Sequence, residues 1–222
     1  VDIPDPEPVD SFLGEKNTNW HVALDPERPM GVDPLTGGAT GNGPALFANY
    51  RRGQCRGMQE SLDVIVDVHE EWGKMFGRSY APLVEEYRLD DAEYALVTMG
   101  GMSGTAKVAI DAAREDGEKV GLIKIKTFRP FPLKAVLKAA GHVKAVGIVD
   151  RSVSFGWNAG PVYQEMLSAL YFMQERIPAV SFIAGLAGAD ITLEDFSRII
   201  STTAGALKGD IPEMPVWLSL ND

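Results

Sequence analysis

The chain has 222 residues, 45% hydrophobic and 23% charged, with a formal net charge of −10. Those values suit a globular fold of one domain with an extension, or two small domains. The acidity argues against nucleic acid, whose phosphates it would repel, and no run of ~18 apolar residues predicts a membrane span.

The charge is uneven. Residues 1–90 hold 16 acidic and 8 basic residues, and residues 91–222 hold 15 and 13. A front-loaded acidic surface suits solubility or a basic partner face. The single cysteine, Cys55, has no internal disulfide partner and cannot hold an iron–sulfur cluster alone. A reduced, cytoplasmic setting fits that usage. The opening Val1-Asp2-Ile3-Pro4-Asp5-Pro6-Glu7-Pro8 lacks a signal pattern and an initiator Met, and reads as the cut end of a longer chain.

Residues 1–55 read as an extended segment leading out of a preceding domain. Prolines recur at 4, 6, 8, 26, 29, 34 and 44, and Gly37–Pro44 is too rich in turn residues for a helix. Phe12, Leu13, Trp20, Phe47 and Tyr50 would anchor the segment to a surface. Residues 57–76 predict a linking helix, because Leu62, Ile65, Val66 and His69 share a stripe that Trp72 and Phe76 continue. Gly77 ends it. His69 reads as a packed histidine, since no ligand-type neighbour stands at metal spacing.

From Tyr94 the pattern alternates. Strands are predicted at 94–99, 120–126, 145–149 and 179–183. Helices are predicted after Thr105 to about Glu115, over 132–140, over about 160–176, and from the Thr192 cap to about Ala204. Short apolar strands alternating with helices predict a doubly wound, mostly parallel sheet covered on both faces. Residues 56–222 are therefore predicted to form one α/β domain.

Four groups in this domain offer chemistry. Gly100-Gly101-Met102-Ser103-Gly104-Thr105 joins a strand to a helix, where free amides can hold an anion. Its spacing matches neither the dinucleotide fingerprint nor a P-loop, and a tight turn needs the same residues. Lys124, Lys126 and Arg129 line the second strand and its exit, as an anion patch or as a solvated, ion-paired edge. Phe128-Arg129-Pro130-Phe131-Pro132 predicts a stiff, packed corner. Asp150-Arg151 ends the third strand, where open α/β sheets bind ligands, although Asp is also a common turn former. His21, His69 and His142 lie apart, and no nucleophile–base pair is evident. No catalytic residue and no metal ligand is assigned.

An ordered set of short motifs spans nearly the whole chain. Phe76-Gly77-Arg78-Ser79-Tyr80 is followed by Asp91-Ala92-Glu93 and Met99-Gly100. Thr127-Phe128-Arg129-Pro130-Phe131-Pro132, Val149-Asp150-Arg151 and Gly185-Leu186-Ala187-Gly188-Ala189-Asp190-Ile191-Thr192 complete it. Together these resemble the alpha subunit of pyruvate synthase and related 2-oxoacid:ferredoxin oxidoreductases. The resemblance implies a transketolase C-terminal-like domain, with structural and assembly duties. The whole enzyme of that family decarboxylates a 2-oxoacid, forms an acyl-CoA and reduces ferredoxin. Thiamine diphosphate, Mg, [4Fe-4S] clusters and coenzyme A are implied for the complex, none of them on this chain. Other subunits, and ferredoxin through them, are the implied partners. Ala187 and Ala189 stand where the family often has Gly and Arg, which suits a less common branch acting on another oxoacid. Two alternatives are a stand-alone anion- or coenzyme-binding module and a fragment of a thiamine-dependent dehydrogenase beta-type subunit.

Overall fold

A computed structural model describes residues 3–15 and 43–218, with side chains from residue 48 onward in the second stretch. The chain divides into two units, Val1–Tyr80 and Ala81–Asp222.

In the first unit, helix α1 spans Pro6–Leu13 and helix α2 spans Gly43–Phe76, 34 residues. The expected extended course over residues 1–55 is therefore wrong at both of its described ends. Proline explains both errors. Pro6 opens α1 and Pro44 lies in the first turn of α2, where a missing N–H costs nothing because that donor has no partner within the helix. Trp20 and residues 16–42 lie outside the described residues, as does the side chain of Phe47. Phe12 does anchor its segment. Its ring meets Trp72 edge-on at 5.4 Å, and Trp72 lies 4.0 Å from Phe76, both centroid distances. The predicted linking helix is thus the second part of α2, and His69 Nδ1 meets the carbonyl of Ile65 at 2.8 Å.

The second unit begins with strand β1 (Val84–Tyr87), then β2 (Tyr94–Met99), helix α3 (Met102–Glu115), β3 (Val120–Ile125) and α4 (Leu133–Ala140). It continues with β4 (Val146–Asp150), α5 (Pro161–Leu170), β5 (Ala179–Ile183), α6 (Leu193–Ala206) and β6 (Val216–Trp217). The sheet order is β1-β3-β2-β4-β5-β6. Only β1 runs antiparallel to its neighbour. The predicted doubly wound, mostly parallel α/β fold is present. Sequence alone missed β1 and β6, two short edge strands. It also carried α5 six residues too far: the chain turns after Leu170.

Both faces are covered. Leu96, Leu122, Val149, Val180 and Phe182 pack with Ile110 of α3 and with Phe196 and Ile199 of α6. Ala95, Val97, Ile123, Ile125, Val146 and Ile148 pack with Val136 of α4 and with Val162 and Met166 of α5. Successive strand residues point to opposite faces, so one apolar run feeds both cores. Each fully buried Leu, Ile or Phe contributes roughly 1.5–3 kcal/mol. Gly147 lets α6 approach, because a Cβ there would lie 2.2 Å from Thr203 Oγ1.

Helix α6 is closed at its start by a capping box. Thr192 Oγ1 accepts the Asp195 N–H at 3.1 Å, and Asp195 accepts the Thr192 N–H at 2.8 Å. The sequence named Thr192 for that role.

Candidate functional site

The sheet reverses direction at β2. Helix α3 carries the chain from β2 to β3 on one side, and β4 lies on the other. Loops leaving β2 and β4 therefore flank a switch point, the place where open α/β sheets meet ligands. These are the loops the sequence singled out.

The loop after β2 is a closed turn. Gly100 has φ +76°, a left-handed conformation that favours glycine. The buried hydroxyls of Thr98 and Ser103 bond to each other at 2.8 Å. The Ser103 N–H donates to Gly100 O at 3.3 Å, and the Gly104 N–H donates to Gly101 O at 3.1 Å. Gly101 stands at the helix start in a right-handed conformation. Ser103 and the amides of residues 103 and 104 are thus engaged within the turn rather than turned toward an anion.

Lys124 projects from β3 on the α3 face, opposite Ile123 and Ile125, as the alternation predicted. Lys124 and Lys107 both pair with Glu85 of β1, the former at 3.2 Å. The Lys107 hydrogen bond holds the Glu85 carboxyl below its ordinary value; burial opposes it, and Lys124 adds to the lowering. Arg129 pairs with Glu165 of α5 and lies over the Phe128 ring, its guanidinium carbon 4.2 Å from the centroid. Lys126 is exposed at the end of β3. Lys124 and Arg129 are therefore tied to different acids, on different elements.

The loop after β4 is built differently. Asp150 is only 2% exposed. Its Oδ1 accepts the Val162 N–H at 2.9 Å and its Oδ2 accepts the Tyr163 N–H at 3.0 Å. Those amides belong to the first turn of α5, whose first residue, Pro161, has no donor. Asp150 therefore caps α5 from a distant strand end, and its negative charge lies at the positive end of the helix. Burial raises its carboxyl, while the two amide bonds oppose the rise. Each oxygen accepts one amide, an arrangement that suits the carboxylate. Gly160 makes room for it, since a Cβ there would lie 2.0 Å from the Asp150 carboxyl carbon.

Arg151 does not pair with Asp150. Its Nε donates to Gly185 O at 3.2 Å, and a second guanidinium nitrogen reaches Ala189 O at 3.5 Å. It thereby fastens the exit of β4 to the loop after β5. In that loop Ala187 has φ +53°, a left-handed conformation for a non-glycine residue.

Between Asp150 and Gly160 the chain makes a hairpin closed by a Ser154–Ala159 bridge. Phe155 and Trp157 stand at its tip, 93% and 66% exposed. Sequence reasoning passed over them. An aromatic–Gly–aromatic–Asn run between Ser154 and Ala159 was the available signal, because turn chemistry at a strand exit puts its side chains outside.

Among the described residues no three His, Cys, Asp or Glu side chains gather as metal donors. They offer no fit for the magnesium of thiamine diphosphate or for an iron–sulfur cluster. No described helix is long and apolar enough to cross a membrane.

The fold and this edge define a class: a doubly wound α/β domain whose strand-exit polar groups hold its own loops together. Residues 92–196 match the family model described as pyruvate:ferredoxin oxidoreductase core domain II. The chain is 61% identical to the NADH-dependent phenylglyoxylate dehydrogenase subunit alpha of Aromatoleum evansii, covering 100% of this chain and 54% of that one. It is 37% identical to the pyruvate synthase subunit PorA of Pyrococcus abyssi, covering 99% of this chain and 54% of that one. A solved split-gene transketolase, an inactive beta4 tetramer, aligns with a TM-score of 0.45 at 14% identity, over 58% of this chain and 44% of that one. Along its whole length the chain is similar to these alpha and PorA subunits, and it spans about half the length of the curated relatives it matches.

Proposed function

We propose that this chain is the assembly part of an alpha subunit in a cytoplasmic, multi-subunit 2-oxoacid oxidoreductase whose substrate is an aryl 2-oxoacid of the phenylglyoxylate type. The observation that carries this is 61% identity, along the full chain, to a phenylglyoxylate dehydrogenase alpha subunit. The absence of Gly and Arg at Ala187 and Ala189 agrees with a branch apart from pyruvate synthases. The unit from Ala81 onward is the assembly domain, and α2 is its connector to the preceding part of the subunit.

In the proposed reaction a 2-oxoacid, coenzyme A and NAD+ give an acyl-CoA, carbon dioxide and NADH. The two electrons freed when the carboxyl carbon leaves reduce NAD+. Thiamine diphosphate, magnesium and iron–sulfur clusters would be held by other parts of the complex. The residues described here orient loops and bury apolar surface. Asp150 holds α5 and the aromatic hairpin, Arg151 joins two strand exits, and the Lys107–Glu85–Lys124 cluster ties an edge strand to the sheet.

A second reading, ferredoxin as acceptor, draws on the pyruvate:ferredoxin family model. The test is an assay of the native complex with phenylglyoxylate or pyruvate, coenzyme A, and either NAD+ or oxidised ferredoxin. The expected result is phenylglyoxylate-dependent NADH formation, with pyruvate turned over at least about a hundredfold less efficiently. Pyruvate preference would overturn the substrate reading, and ferredoxin reduction without NADH would move the acceptor to the second reading. The isolated chain is expected to be inactive.

A further inference from the structure

Exposed apolar side chains grouped together mark interaction surfaces. The 154–159 hairpin presents two, Phe155 and Trp157. The anchoring is visible at every step. Ser154 N–H donates to Ala159 O at 2.8 Å, and Ser154 O accepts the amides of Trp157 and Asn158 at 3.2 and 3.1 Å. Gly156 and Asn158 take the left-handed conformations that the reversal needs. The base is fixed by Ala159, 4% exposed, and by Gly160 seated against the buried Asp150 carboxylate. An aromatic tip ordered before contact loses little freedom on docking, and Trp and Phe are favoured as interface anchors.

Its place selects the occupant. The hairpin leaves the carboxyl end of β4, beside the switch point with β2. The curated relatives are single subunits of which this chain spans 54%, so each of them carries nearly as much polypeptide again. A covalently joined surface meets the tip at a high effective concentration. We propose that Phe155 and Trp157 form a docking tip that seats in an apolar recess of the rest of the alpha subunit, the stretch by which its relatives exceed this chain. This rests on the alpha-subunit reading above.

The test is site-specific photo-cross-linking in the assembled complex. Phe155→p-benzoylphenylalanine and, separately, Trp157→p-benzoylphenylalanine are introduced into the full subunit. The purified complex is irradiated, and the joined peptides are identified by mass spectrometry. The expected product from both positions is an intrachain link to alpha-subunit residues outside these 222, with no gain in subunit mass on a denaturing gel. Links to residues 1–80, to a second alpha subunit or to a different subunit would each overturn the proposal. So would a probe that reacts only with solvent, or a subunit with no residues beyond these 222. The aryl-2-oxoacid assay on the unsubstituted complex is scored separately, so a failure of the functional reading is distinguishable from a failure of the docking tip.

Discussion

The two loops at the carboxyl edge of the sheet have similar compositions and different physical content. After β2, Gly100–Thr105 turns the chain straight into α3, and its hydroxyls and amides bond within the turn. After β4, residues 151–160 leave the sheet, form a hairpin and return to α5 under a buried carboxylate. Glycine and serine at a strand exit mark both loops. What separates them is the polar group at the strand end: a neutral hydroxyl pair in the first, a buried charge shared between two elements in the second.

The largest expected effect is on that charge. Asp150→Ala leaves two amides without their acceptor and opens a cavity, and should destabilise the protein by about 2–4 kcal/mol in denaturant unfolding. Asp150→Asn, which keeps one good acceptor, should fall between Ala and the parent. A loss under about 0.5 kcal/mol for Ala would erase the distinction between the loops. Gly160→Ala should cost about 2 kcal/mol, because its methyl meets the same carboxyl group and something must shift.

Much of this was legible in the sequence, and the failures have particular causes. Strands 94–99 and 179–183 were readable because doubly covered strands are continuous apolar runs bounded by turn residues. Thr192 was readable because a hydroxyl cap followed by acids has a local meaning. The edge strand Val84–Tyr87 was not, since its stability comes from pairing with β3, 35 to 41 residues later, and Val-Glu-Glu-Tyr has no apolar run. Helix α2 was cut short because Gly43-Pro44 reads as a breaker inside a helix and as a permitted start at its end. Asp150 was named at its strand end, but its partners in α5 lie twelve and thirteen residues away. Lys124 was recognised as turned from the core, while its partner Glu85 lay on the strand that was missed.

The remaining effects are smaller. Thr98→Val removes one buried neutral hydrogen bond and leaves the Ser103 hydroxyl unpaired, so about 1 kcal/mol should be lost, less than at Asp150. Ala187→Gly relieves a left-handed alanine and should stabilise the protein by roughly 0.5–1 kcal/mol, read as a raised unfolding midpoint.

The smallest effect is on acid sensitivity. The folded Glu85 carboxyl lies below its ordinary value of 4.5, chiefly through Lys107. Its contribution is therefore complete above that value and is lost as pH falls through the lowered one. Partly exposed ion pairs contribute ~1 kcal/mol or less, so Glu85→Gln should cost that amount at neutral pH and nothing in strong acid. A cost that grows on acidification would contradict the assigned direction.

On the proposed reading, the polar residues described here hold structure while other parts of the enzyme bind coenzymes and react. The most direct measurement is steady-state kinetics of the assembled complex carrying Lys124→Ala together with Lys126→Ala. The expectation is a kcat and a KM for coenzyme A within about twofold of the parent, with only a small loss of stability. A KM for coenzyme A raised about tenfold or more, in a complex that still assembles, would show that this edge binds the coenzyme itself.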